Sequence, residues 1–136
     1  MSVSDLQVGQ ELPTFSRQTG FEAWNRFAAV NYEFVPIHMD DEAGRQAGHA
    51  GAIGMGRLQW AYLHTMLEEW LGERGRVVRV AAQFRSPNQK GMTLTAKGRI
   101  TAVRQEDGET HVDLDVWIEA DDGKMVAPGT ATVAFD

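Results

Sequence analysis

One stretch limits the fold more than any other. Met55, Leu58, Tyr62, Leu63, Met66, Leu67, Trp70 and Leu71 recur at spacings of three and four, the period of one face of a helix. Arg57, His64, Glu68 and Glu69 fall off that stripe, and Gly72 and Gly75 stop the helix. After Gly75 the period changes to two. Val78, Val80, Ala82 and Phe84 alternate with Arg79, Ala81, Gln83 and Arg85; Met92, Leu94, Ala96, Ile100 and Ala102 form a second alternating set; Val112, Leu114, Val116 and Ile118 form a third. Each run predicts a half-buried antiparallel strand. The connections Pro87-Asn88-Gln89-Lys90-Gly91, Asp107-Gly108 and Asp122-Gly123 read as turns, and Asp-Gly is a strong hairpin signal because both residues accept positive φ. A last strand is expected from about Lys124 to Phe135, with a bulge near Pro128-Gly129.

The first half is helical. Phe21 to Val30 predicts a helix with Trp24, Phe27 and Ala28 on one face, Thr19 as N-cap and Glu22 as its capping-box partner. Pro36 is expected to end the irregular stretch that follows. A short helix is expected from Asp41 to Ala47, capped by Asp40 and ended by Gly48. Gln10 to Gln18 reads as a short N-terminal strand. A long apolar helix must be covered along its length, and the simplest cover is a curved sheet wrapped around it. The periodicities therefore predict an α+β hotdog arrangement, with an antiparallel meander of four long strands and a fifth at the N-terminus around one central helix.

Length and composition narrow the function. A chain of 136 residues suits a single domain over 1–136 and can bury about two-thirds of its unfolded surface in one core. There is no cysteine, so disulfides and thiolate metal sites are excluded. A net charge of −6 argues against general nucleic-acid binding. The start Met1-Ser2-Val3-Ser4-Asp5 has neither the basic residues nor the apolar run of a signal peptide, and no stretch has the apolar length of a membrane span; a cytoplasmic protein is expected.

Four histidines are the candidates for chemistry. His38 lies in Glu33-Phe34-Val35-Pro36-Ile37-His38-Met39-Asp40, an apolar segment holding an imidazole among carboxylates. Imidazole titrates near neutrality and suits general acid–base work, and a nearby carboxylate can orient it or share the proton transfer. The plainer alternative is a loop histidine beside a capping aspartate. His49 lies among the glycines of 48–56, where main-chain N–H groups at the start of the long helix suit a developing oxyanion; a flexible turn explains the glycines equally well. His64 pairs in sequence with Glu68 at i,i+4, which reads as a surface pair. His111 alternates outward on its strand and is expected to be solvated. No His-x-x-x-His pair or other metal-ligand spacing is present.

The stretch Asn31-Tyr32-Glu33-Phe34-Val35-Pro36-Ile37-His38-Met39-Asp40 resembles the motif S-G-D-x-N-P-I-H-x-D of MaoC-like (R)-specific enoyl-CoA hydratases. Ala43 and Gly48 match the short helix of that family, Gly54-Met55 its Gly-Met, and Phe84-Arg85-Ser86-Pro87 with Gly91-Met92-Thr93-Leu94 its strand-end hairpin. The resemblance covers most of the chain. It implies a hotdog lyase that adds water reversibly across the 2,3 double bond of an enoyl-CoA, with Glu33 and His38 as the catalytic pair and the Gly54 N–H as a donor to the thioester oxygen. Met55, Tyr32, Val35 and Ile53 would line the substrate site. Four departures stand out: Glu33 replaces the family's aspartate, Val35 its asparagine, Asn31-Tyr32 its Ser-Gly, and Ile53 a histidine often found before Gly-Met. A methylene added at the acid matters, because a displacement of about 1 Å can cost roughly 10²-fold in rate. The alternatives are a non-catalytic hotdog subunit that pairs with an active partner, and a hotdog acyl-CoA thioesterase. Arg79, Arg85 and Lys90 are candidate contacts for the CoA phosphates. No cofactor is expected beyond the CoA thioester that carries the substrate. A homodimer, or a pair with another hotdog subunit, is expected, because an open sheet leaves its edges unpaired.

Overall fold

The structure, a computed structural model, describes residues 2–136. The chain runs β1 (Phe15–Gln18), α1 (Phe21–Asn31), α2 (Pro36–Met39), α3 (Asp41–Gln46), α4 (Gly56–Leu71), β2 (Gly75–Ala82), β3 (Thr93–Glu106), β4 (Glu109–Glu119) and β5 (Met125–Phe135). The five strands form one antiparallel sheet in the order β1-β3-β4-β5-β2. α4 lies against this curled sheet, as its continuous apolar stripe requires, and the arrangement is the hotdog fold. Leu63, Met66, Leu67, Trp70 and Leu71 pack with Leu94, Ile100, Leu114, Ile118, Val133 and Phe135 in the main core. At the far end of α4, Arg74 donates to the carbonyls of Trp70 (2.6 Å) and Leu71 (3.2 Å), which satisfies acceptors the helix itself leaves open.

A second, smaller core gathers Trp24, Ala28, Ala52, Met55 and Leu58, with Phe21, Phe27 and Met39 partly buried against it. Tyr62 touches both cores; burial raises its phenol above the ordinary range, so it stays protonated. This smaller core seats α1, α2 and the start of α4 against one another.

Several local expectations need correction. The four long strands are not a meander. β2 leaves the end of α4 and pairs with β5 at one edge, whereas β3 starts near the opposite edge beside β1. The segment 83–92 is a crossover carrying bonds to other elements, such as Gln83 N–H to Pro128 O, so it is not a hairpin turn. Within β2 the register slips between Val77 and Arg79. That bulge turns Val77 and Val80 inward and leaves Val78 49% exposed, which breaks the expected alternation. In β5 the ladder runs unbroken past Pro128-Gly129, and the irregularity falls between Ile118 and Glu119 of β4, opposite Val126. The N-terminal strand covers only Phe15–Gln18, with an isolated bridge at Glu11. Thr19 is not the cap of α1. Its hydroxyl donates to Gln89 O at 2.8 Å, and Gly20 occupies the N-cap without a side-chain bond. Pro36 begins a single helical turn instead of ending a loop, as a residue with fixed φ and no N–H does at a first helical position. Asp40 caps α3 as expected, accepting from Ala43 N–H at 2.9 Å.

Candidate active site

The site is assembled from the end of α1, the turn α2 and the loop that enters α4. α1 ends with Tyr32 in the left-handed region at φ 56°, its N–H returning to Ala28 O. The Glu33 N–H also reaches Ala28 O, at 3.2 Å. This helix-ending reversal normally uses glycine, and it aims the next residues across the smaller core. Pro36 then starts α2, and His38 is carried inward until it is 8% exposed.

The loop after α3 locks that histidine. Ile53 N–H donates to Ile37 O at 3.0 Å, and Ile53 O lies 2.7 Å from His38 Nδ1. A carbonyl only accepts, so Nδ1 carries the proton of the neutral ring and Nε2 is left as its basic nitrogen. Backbone atoms do this holding, so the isoleucine at position 53 suffices. The loop is itself pinned. Asp41 accepts from Ala52 N–H at 3.0 Å and from Lys90 Nζ at 2.6 Å; the ammonium first, and that amide second, hold its carboxyl below the ordinary range. Gly44 packs onto the loop backbone so closely that a Cβ there would stand 2.0 Å from Gly51 O.

His38 faces a pocket of about 310 Å³, lined by His49, Ile53, Gly54, Gly56, Gln59, Phe84 and Arg85 among others. Gly56 begins α4 and has no room for a side chain: a Cβ would come within 2.6 Å of the Phe84 ring. Phe84 also walls a second hollow of about 960 Å³, lined by Phe27, Trp60, Thr65, Val80 and Ala82. The small pocket thus adjoins, across a single aromatic ring, a larger hollow whose apolar walls are interrupted by Asn31, Arg57, His64 and Glu68.

Residues 6–121 match the MaoC-like domain family. The chain belongs to that family. Solved structures agree on the fold. An (R)-hydratase from A. caviae involved in PHA biosynthesis superposes with a TM-score of 0.88 at 24% identity, over 98% of this chain and all (100%) of that one. A MaoC-like dehydratase from Rhodospirillum rubrum gives 0.86 at 20% identity, over 99% of this chain and 96% of its own. The ChsH1-ChsH2 complex from Mycobacterium tuberculosis gives 0.84 at 16% identity, over 96% and 98% respectively. No curated protein matches the chain in sequence.

Within this MaoC-like domain the expected site residues separate. His38, His49, Ile53 and Gly54 share the pocket. Glu33 is half-buried; its Oε2 is sealed from solvent without a partner, and among the described residues no hydrogen bond joins it to His38. Tyr32 and Val35 are 88% and 42% exposed, beside the site but not in its wall. Met55 is fully buried in the smaller core. The expected role of the Gly54 N–H needs correction. It donates to Asn88 O at 2.8 Å, because the crossover segment pairs with this loop, and so it is not free to meet a substrate oxygen.

The three expected phosphate contacts also diverge. Arg85 lines the His38 pocket. Arg79 lies on β2 and donates to Thr130 Oγ1 at 3.0 Å. Lys90 is engaged by Asp41 and lies 4.6 Å over the Phe21 ring, so its charge is used within the fold. His64 stacks edge-on to Trp60 at 4.4 Å instead of pairing with Glu68. His111 is only 15% exposed and lies near Glu106 and Glu109, so it is not the solvated histidine its alternation suggested. Among the described residues no group of histidines and carboxylates is arranged to hold a metal ion, and no helix is long and apolar enough to cross a membrane.

Sequence reasoning missed Gln59 and Asn88. Both are polar and nearly wholly buried, and both have unpaired amide atoms. The signal for Gln59 was available, since it falls one residue after Leu58 on the inward side of α4's first turn.

Proposed function

We propose that this MaoC-like domain is a hydratase, acting reversibly on the 2,3 double bond of an acyl-CoA thioester, with His38 and Glu33 as its acid–base pair. One observation carries the reading: the Ile53 carbonyl fixes His38 in a single tautomer with Nε2 free, in a pocket at the N-terminus of α4. A water held between Glu33 and His38 adds at C3 while the π electrons move toward the thioester oxygen. Nε2 of His38, which this tautomer leaves as the base, takes the water proton, and Glu33, entering the step as the carboxylic acid, delivers a proton to C2. Glu33 does not line the His38 pocket, but its Oε2 has no partner, and a water bound between the two would satisfy it. The apolar side of the hollow past Phe84, formed by Phe27, Trp60, Val80 and Ala82, would receive the acyl chain, and Arg85 of the His38 pocket would meet a CoA phosphate.

The test is hydration of crotonyl-CoA and a longer enoyl-CoA, followed by loss of the conjugated thioester's absorbance. Turnover should collapse in Glu33→Gln and His38→Ala while both remain folded. Wild-type-like rates in either variant would sink the assignment. A second reading, a hotdog subunit that acts only beside a partner, draws on the outer edge of β2. Among the described residues no strand pairs with that edge, and Val78 and Phe84 are about half exposed nearby. A second copy or another hotdog chain would cover it. A folded, purified protein with no activity on either substrate favours this second reading.

A further inference from the structure

We infer that the side-chain amide of Gln59 is the hydrogen-bond donor to the acyl thioester carbonyl, in the place the Gly54 N–H would otherwise fill; the inference rests on the site binding an acyl thioester. Gln59 is only 2% exposed, yet it lines the same pocket as His38 and Gly54. Its Oε1 has no hydrogen-bond partner among the described residues. A buried amide with an unmet hydrogen bond costs stability, and a glutamine one residue along from the core stripe of a helix is easily replaced by leucine or methionine. A ligand carbonyl takes the amide's Nε2–H, the end of Gln59 that is not among the sealed, unpartnered atoms.

The geometry points the same way. Gln59 is the fourth residue of α4, and side chains on a helix lean toward its N-terminus. The amide therefore overlies the first turn, beside Gly56, where main-chain N–H groups have no helical partner. The Gly54 N–H is spent on Asn88 O. An amide rotated about its last bond presents either an acceptor or a donor, and only the donor end suits an oxygen on which negative charge develops. Gln59 does not titrate, so this contact does not depend on pH.

The probe is 2,4-hexadienoyl-CoA, a conjugated thioester whose absorption moves to longer wavelength when its carbonyl accepts a hydrogen bond. The wild-type protein should shift it, Gln59→Met should not, and His38→Ala should retain the shift. On crotonyl-CoA, Gln59→Met should lower kcat by about 10²- to 10³-fold, the cost of losing one oxyanion donor, with little change in KM. Its melting temperature should not fall, because methionine fills similar volume without an unpaired amide. Gln59→Glu, with the same shape, should restore the shift only at acidic pH, where its carboxyl still carries a proton to donate. No shift with the wild type, or a full shift with Gln59→Met, overturns the role of Gln59. The hydratase reading fails separately: a Gln59-dependent shift without turnover removes hydration and keeps the carbonyl contact, and turnover indifferent to Gln59→Met does the reverse.

Discussion

Tyr32 holds a backbone conformation that side chains disfavour, and replacing it tests how the site is built. At φ 56° it closes α1, and it is 88% exposed, so its ring contributes little packing. The left-handed region costs a non-glycine residue about 1–2 kcal/mol. Glycine escapes that cost but gives up about 0.5–1 kcal/mol through the greater freedom of its unfolded chain. The difference predicts that Tyr32→Gly is more stable than Tyr32→Ala by about 0.5–1 kcal/mol. At an ordinary exposed position the order is the opposite, with alanine ahead. Urea unfolding of the wild type and both variants measures this, with unchanged m-values confirming that only stability moved. If alanine equals or exceeds glycine, then α1 does not end in a left-handed residue, and the path that delivers Glu33 and His38 is wrong. Turnover adds a second readout. If the tyrosine ring touches substrate, both variants lose activity together, whatever their order of stability.

Gly44→Ala should destabilise the protein by at least about 1–3 kcal/mol, since its Cβ would press on Gly51 O and Ala52 N at 2.0 and 2.7 Å. Activity should fall with it, because Ile53 of the same loop orients His38; a neutral effect in chemical denaturation refutes the close approach. Glu109 gives a pH prediction. The Arg76 guanidinium, at 2.6 and 3.0 Å, holds its carboxyl down at about 2. A native pKa below the unfolded value of about 4.3 means the pair's contribution is complete above that value and is lost as pH falls toward 2. The stability gap between wild type and Arg76→Ala should therefore be widest near neutrality, close on acidification, and narrow in high salt because the pair is exposed. A gap that grows toward low pH contradicts the pairing.

Much of the fold was legible in the sequence, because burial on one face of an element is written locally. The spacing of Leu63, Met66, Leu67 and Trp70 set the buried stripe of α4, and the alternation of Leu114, Val116 and Ile118 set the inner face of β4. The Asp107-Gly108 hairpin follows from two residues that accept positive φ, and both adopt it. The position of His38 was also legible, since the motif around it keeps its proline, histidine and aspartate in register. Periodicity says which face is buried but not against which strand, so the pairing of β2 with β5 became visible only in the assembled sheet. Likewise, nothing near Gly54 says that its N–H is taken by Asn88, and the inward position of Gln59 on α4 does not say that it meets the His38 pocket. Hydrogen-bond partners of main-chain and amide groups are supplied by segments far along the chain. Local sequence therefore determined the long elements and the catalytic candidates, and tertiary packing alone decided which donors remain free to act.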